Sequence, residues 1–181
     1  MELIRSEHLD GTLLDTAWEL YSSSFDDLRR QAAQRHVMTR GEFDEVMADK
    51  RVLKWLVVDG AGLAGMATVT NDLDAVPLVS PEYYANRWPG EYADQRIWYV
   101  GFLAVAPRQQ GGSVASDLVR GITESVRVTG GLVGVDICAH NESALRLPTT
   151  LLRLARIWQP STSLQRLDAQ TYWIYDIPAA A

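Results

Sequence analysis

The chain has 181 residues, 47% hydrophobic and 22% charged, and its 17 basic and 23 acidic side chains give a formal net charge of -6. That length buries a core without covalent or metal staples, the composition excludes a disordered chain, and the acidic balance disfavours a nonspecific nucleic-acid or anionic-membrane surface. The single Cys138 excludes an internal disulfide and a multi-cysteine zinc site, and no stretch has the length and apolarity of a membrane helix. One domain over 1–181, in a reducing, cytoplasmic setting and without a leader segment, is the expectation.

The apolar positions Leu13, Leu14, Ala17, Trp18, Leu20 and Tyr21 recur at helical spacing and predict a helix over 10–34, capped by Asp10 or Thr12 and broken near Ser22–Ser24. Phe43, Val46 and Met47 predict a second, short helix over 41–50. Two apolar runs, 52–58 and 63–70, flank a Gly60–Gly62 turn and predict a hairpin. Residues 71–95 carry Pro77, Pro81 and Pro89, several acids, and the aromatics Tyr83, Tyr84, Trp88 and Tyr92; this reads as an irregular lid or binding loop. A strand over 96–105 enters a glycine turn, and Val114, Leu118, Ile122 and Val126 then repeat every four residues along one buried helical stripe. Gly130 and Gly131 end that helix before a strand over 132–139, in which Val133, Val135 and Ile137 lie under the helix and Asp136, Cys138 and His140 face the other way. Asn141 caps a helix to about residue 155, and 157–165 and 171–177 read as two last strands, whose Trp158, Tyr172 and Trp173 offer a surface for a second copy of the chain. The order predicts an α/β fold: a mixed, mostly antiparallel central sheet with helices on both faces, in which 96–105 and 132–139 run parallel.

The junction at 102–118 carries the most chemistry. A strand runs through Gln110-Gly111-Gly112-Ser113 straight into an amphipathic helix, whose first N–H groups lack intrahelical partners and sit at the positive end of the helix dipole. Such a corner holds a phosphate. A dinucleotide fingerprint would need three spaced glycines after the first strand and a Walker loop would need Gly-Lys-Ser or Gly-Lys-Thr; neither is present. His8 and His36 have no metal-ligand spacing, so no metal is expected.

Phe102-Leu103-Ala104-Val105-Ala106-Pro107, followed by Gln110-Gly111-Gly112-Ser113-Val114-Ala115, resembles the Gcn5-related N-acetyltransferase superfamily, whose pattern is Arg or Gln, two residues, Gly, one residue, Gly or Ala. Ser113 departs from it, standing where a glycine is expected. Asn141-Glu142-Ser143-Ala144 resembles the family's Asn-x-x-Ala segment. The resemblance implies acetyl-CoA as co-substrate. Leu103, Ala104 and Val105 would line its pantetheine arm, with main-chain groups of Leu103 and Val105 pairing with the pantetheine amides. The amides of Gln110, Gly111, Gly112, Ser113, Val114, Ala115 and Ser116 would cradle the pyrophosphate, and Asn141 and Ser143 would flank the arm. The β-carbon of Ser113 is expected to crowd the phosphate or to resist a positive φ. Arg108 stands between a phosphate ligand and a solvated turn residue.

Acyl transfer to an amine needs a neutral amine, donors for the oxyanion and a proton for the thiolate. The resemblance implies a backbone N–H near Leu103 for the oxyanion. Where several relatives hold a glutamate base this chain has Tyr99, a poor base at its ordinary pKa, and where many hold a tyrosine acid it has Pro148. The candidates for the proton steps are therefore Tyr99, Asp136 and Ser143, with the loop acids Glu82, Glu91 and Asp94 acting through water; Asp136 also reads as a carboxylate that holds the sheet together, and Thr149 and Thr150 as back-bonded helix hydroxyls. Two functions stay open at this point. One is an N-acetyltransferase acting on a small-molecule primary amine. The other is a non-catalytic or weakly active acyl-CoA-binding module.

Overall fold

The computed structural model describes residues 1–33 and 37–177. The far end of the first predicted helix, His36 and the Pro-Ala-Ala-Ala tail lie outside them. The elements run β1 (Glu2–Ser6), α1 (Gly11–Ser24), α2 (Leu28–Gln31), α3 (Arg40–Ala48), β2 (Leu53–Asp59), β3 (Gly62–Thr70), α4 (Pro81–Arg87), α5 (Pro89–Ala93), β4 (Ile97–Val105), α6 (Val114–Arg127), β5 (Leu132–Val135), α7 (Ala139–Ser143) and α8 (Leu147–Trp158). The strands form one sheet in chain order; β1 to β4 are antiparallel neighbours and β5 joins β4 in parallel. The mixed, mostly antiparallel sheet follows the expectation from sequence.

Each face of the sheet has its own core. On one face Ala17, Leu20 and Tyr21 of α1 and Phe43 and Met47 of α3 close over Leu56, Met66, Phe102 and Ala104. The rings of Tyr21 and Phe102 meet edge-on at 4.8 Å. On the other face the stripe Val114, Leu118 and Ile122 of α6 covers Trp55, Val57, Ala67, Val69 and Val100. The start of α6 presses so close to β3 that a β-carbon on Gly65 would run into Val114 Cγ1 and lie 3.2 Å from the Ala104 carbonyl. A residue with any side chain at 65 would displace the helix start.

Several elements depart from the sequence reading. β1 was not expected: it is a short, mostly exposed edge strand with no apolar run to announce it. Residues 71–95 are not an irregular loop. Ser80 accepts from the Tyr83 N–H, Pro81 and Pro89 occupy first turns, and the two short helices pack Tyr84, Trp88 and Tyr92 with Leu73, Ile97, Tyr99 and Leu132 into a third core. The helix expected from Asn141 is two helices, parted at Arg146 with φ 47°. The strands expected over 157–165 and 171–177 are absent; after α8 the described chain has no regular structure beyond a turn.

Lys54 is the most buried charge-bearing side chain. It has no exposed surface, and its Nζ donates to the Glu7 carbonyl at 2.9 Å and the Asp49 carbonyl at 2.6 Å, tying the end of α3 to the chain after β1. Burial lowers its pKa to about 8, against the opposing pull of Asp49 and Glu7.

Candidate functional site

β4 changes face in its middle. Thr68 pairs with Phe102 and Val69 with Val100, so Gly101 is an extra residue, a β-bulge. Val100 accordingly faces α6, and Phe102, two residues on, faces α1. A β-carbon on Gly101 would sit 2.7 Å from Thr68 Oγ1. The same point ends the pairing with β5: the last registered pair is Val100 with Val135. From Gly101 onward β4 has a free edge on that side, and Gly101 is exposed although it lies in an inner strand.

The direction of the free groups follows from one bond. The Ala106 N–H donates to the Ala64 carbonyl at 2.9 Å, so alternation turns Ala104 and Phe102 toward β3, and turns the N–H and C=O of Leu103 and Val105 toward the open edge. Ser24 Oγ donates to the Val105 carbonyl at 3.1 Å, using part of its acceptor capacity. On that side neither main-chain group of Leu103 has a partner among the described residues.

The corner beyond β4 is stiffened from below. Gln109 Nε2 donates to Asp59 Oδ2 at 2.7 Å, and Arg108 donates to the Leu63 carbonyl at 3.2 Å with Asp59 Oδ1 3.9 Å away, so both side chains pin the turn to the β2–β3 hairpin. Gly111 has φ +81°, a conformation that favours glycine. The Gly112 N–H donates to the Gln109 carbonyl and the Gln110 N–H to the Pro107 carbonyl, whereas the amides of Gly111, Ser113, Val114, Ala115 and Ser116 have no partner among the described residues. Residues 110 to 113 are exposed, and the Met1 thioether lies 3.6 Å from the Ser113 hydroxyl at the side of the corner. Ser113 has φ -78° and ψ -11°, ordinary helical values, which corrects the expectation of strain there. Its hydroxyl lies 3.3 Å from Asp117 Oδ2, and Asp117 is paired with Arg120 at 3.1 Å.

Beside the fork, where β5 ends at Val135 and β4 runs on alone, stands a carboxylate. Asp136 is the first residue after β5, and Tyr99 donates its phenolic proton to Asp136 Oδ1 at 2.9 Å. Burial, reinforced by Asp136, pushes the Tyr99 pKa far up, and burial also raises that of Tyr84, whose ring packs in the same cluster. Tyr99 thus holds its proton and acts as a donor to Asp136, not as a base.

No family model matches the sequence, and no curated protein does either. Solved structures do match in fold. An aminoglycoside acetyltransferase from an uncultured soil metagenomic sample, in complex with sisomicin, is 14% identical with a TM-score of 0.54, covering 95% of each chain. The ribosomal-protein-S18-alanine N-acetyltransferase from Escherichia coli is 16% identical with a TM-score of 0.51, covering 83% of this chain and 76% of its own. This chain has the Gcn5-related N-acetyltransferase fold. A transcriptional regulator from Bacillus halodurans C-125 matches at 15% identity and a TM-score of 0.57, covering 95% of this chain and all of its own.

On this N-acetyltransferase fold the remaining sequence candidates are unevenly placed. Asn141 lies inside α7, not at its cap, which is Cys138. Ser143 Oγ donates to the Ala139 carbonyl at 2.8 Å, with the His140 carbonyl at 3.3 Å, so its proton is held within its own helix. Thr149 back-bonds to the Arg146 carbonyl at 2.9 Å, as expected. Pro148 stands in the first turn of α8, where its missing N–H breaks no helical bond. Val133 and Val135 are exposed, not covered by α6 as the alternation suggested, because α6 ends its packing at β4. Cavities of about 260 and 290 Å³ lie elsewhere, one by Asp72, Asp74 and Tyr92 and one by Trp55 and Trp98. Among the described residues no three His, Cys, Asp or Glu converge as metal ligands, and no helix is long and apolar enough to cross a membrane.

Proposed function

We propose that this protein is an acetyl-CoA-dependent N-acetyltransferase acting on a primary amine of a small molecule, in a reducing, cytoplasmic setting. One observation carries the reading: the open edge of β4 beyond Gly101 leads directly to a row of unpartnered amides at Gly111 and Ser113–Ser116. An amide-bearing arm suits the first and a diphosphate suits the second, because exposed main-chain donors at a helix start bind anions. The residues present therefore fit coenzyme A, with Leu103 and Val105 along the arm and 110–116 around the phosphates.

Acetyl-CoA, when bound, supplies the activated acetyl group. The chain's own residues then have these tasks. The Leu103 N–H, free on the open edge, donates to oxygen charge that develops at the fork. The Asp136 carboxylate, oriented by the Tyr99 hydroxyl, accepts a hydrogen bond from the acceptor ammonium and aims its nitrogen; the ammonium proton passes to water, directly or through Asp136. Ser143 is engaged with its helix and Pro148 has no proton to give, so water protonates the departing sulfur. The aromatics Tyr84, Trp88 and Tyr92 wall the acceptor side.

The lack of a side-chain acid favours one rival, an acyl-CoA-binding module without turnover. A thermal-shift titration and a thiol-release assay separate the two. Acetyl-CoA is expected to raise the midpoint, and a panel of primary amines to release free thiol. Stabilisation without thiol release from any amine establishes the binding module. No shift with either CoA or acetyl-CoA overturns both readings. Asp136→Asn is expected to lower kcat/KM by about 100-fold while leaving the acetyl-CoA shift intact.

A further inference from the structure

The cavity of about 290 Å³ under the C-terminal end of α6 takes no part in the chemistry of the fork. Its floor is the α6 face of the sheet, made by Leu53 and Trp55 of β2 and Trp98 of β4, and α6 supplies Glu124 and Ser125 to the opposite wall. Trp55 is fixed in place: its Nε1 donates to Ser125 Oγ at 3.1 Å, and that hydroxyl donates in turn to the Gly121 carbonyl at 3.1 Å. Trp98 Nε1, by contrast, is buried with no acceptor among the described residues. Two indoles, one of them lacking its acceptor, make a floor that is flat, apolar and incompletely satisfied.

Two opposite charges border this floor without pairing with each other. Arg5 stands across from Trp55 in the β1–β2 register, hence on the same face of the sheet, and it is exposed with no ion pair among the described residues. Glu124 is half exposed, and its ion pair is the distant approach of Arg120 Nε at 4.0 Å; Arg120 is held more closely by Asp117, at 3.1 Å. Glu124 also stands in the last turn of α6, where the negative end of the helix dipole adds to its charge. One side of the cavity thus attracts an ammonium group, which the indole faces also favour, and the other attracts a carboxylate.

We infer that this cavity binds a free α-amino acid with an apolar side chain. The carboxylate lies on Arg5, the ammonium against Glu124 and the end of α6, and the side chain across Trp55 and Trp98. Neither charge would serve a purely apolar ligand, and a ligand with one charge would leave the other rim residue unused. The volume, just below that of drug-sized sites, suits one molecule of this size. From Val114 to Glu124 the helix rises roughly 15 Å, so the cavity is separate from the corner at 110–116 and can fill while that corner is occupied.

Calorimetric titration of the full chain with L-leucine and L-phenylalanine, in the absence of acetyl-CoA, tests the inference. Both amino acids should bind, while isocaproate and isoamylamine, which keep leucine's body and one charge each, should bind at least about ten-fold more weakly. Arg5→Gln and Glu124→Gln change exposed side chains, so the fold is not at stake; each should weaken leucine about ten-fold and leave the acetyl-CoA thermal shift unchanged. An amino acid is also a primary amine, the class assigned above to the acceptor side, and Asp136→Asn separates the two places. Leucine binding that survives Asp136→Asn and falls in Arg5→Gln supports the cavity. Binding lost in Asp136→Asn and kept in Arg5→Gln puts the ligand at the fork and overturns the inference, as do an absence of heat with both amino acids and equal affinity for the singly charged analogues. None of these readouts uses acetyl transfer, so the proposed reaction stands or falls separately.

Discussion

The two halves of β4 differ in how much they are asked to do. From Ile97 to Val100 the strand is paired with β5 throughout and with β3 at Tyr99 and Val100, and it is sealed by aromatic side chains from α4 and α5. From Gly101 to Val105 it keeps its β3 partner, loses β5, and offers main-chain groups to the outside. Identical backbone chemistry is structural in the first half and available for binding in the second. The difference comes from the brevity of β5, not from any special side chain, which teaches that an inner strand becomes a ligand site where its neighbour stops.

Four changes test that contrast. Gly65→Val should be the most severe, because its side chain would push Val114 and the start of α6 away from the open half; a loss of about 3 kcal/mol is expected in urea unfolding. Tyr99→Phe acts on the sealed half, removing the donor that orients Asp136. About 1.5 kcal/mol of stability should go with it, and kcat should fall more than KM rises. Lys54 lies away from both halves and serves as a control through pH. With a folded pKa of about 8 against 10.5 in the unfolded chain, folded Lys54 binds fewer protons between those values, so stability rises with pH there. Below pH 8 the cost of holding the buried charge is fully present. The contribution reaches at most about 1.4 kcal/mol per pH unit, and the difference between wild type and Lys54→Met across a pH series isolates it. The smallest effect belongs to Ser113→Gly. Its backbone is already helical, so acetyl-CoA affinity should change by less than about two-fold, a few tenths of a kcal/mol; a ten-fold gain would mean that the β-carbon does crowd the corner.

What was legible in the sequence was local. The hairpin, β4 and α6 declare themselves because apolar spacing within a few residues decides them, and Gln110-Gly111-Gly112-Ser113 marks the corner by turn chemistry alone. Long-range partners were not legible. β1 has no apolar run and exists only because Leu3 and Ile4 find Val57 and Leu56. Ser80 and Pro81 are a readable cap for α4, but three prolines in 25 residues favour a loop over two short helices. Tyr99 and Asp136 are both candidates by residue type, while their bond depends on the register of β4 against β5, which no short pattern states. Alternation gives Val133 and Val135 a side of the sheet, but it does not say how far α6 reaches across that side.

The bulge at Gly101 makes one strand obey two rules of facing. Were Gly101 instead drawn into the ladder as an ordinary paired residue, alternation would run unbroken from Val100, sending Phe102 out of its nest of rings and swinging Leu103 to the α1 face, so the open edge and the aromatic core would fail together. Which residue is left out of the pairing decides both.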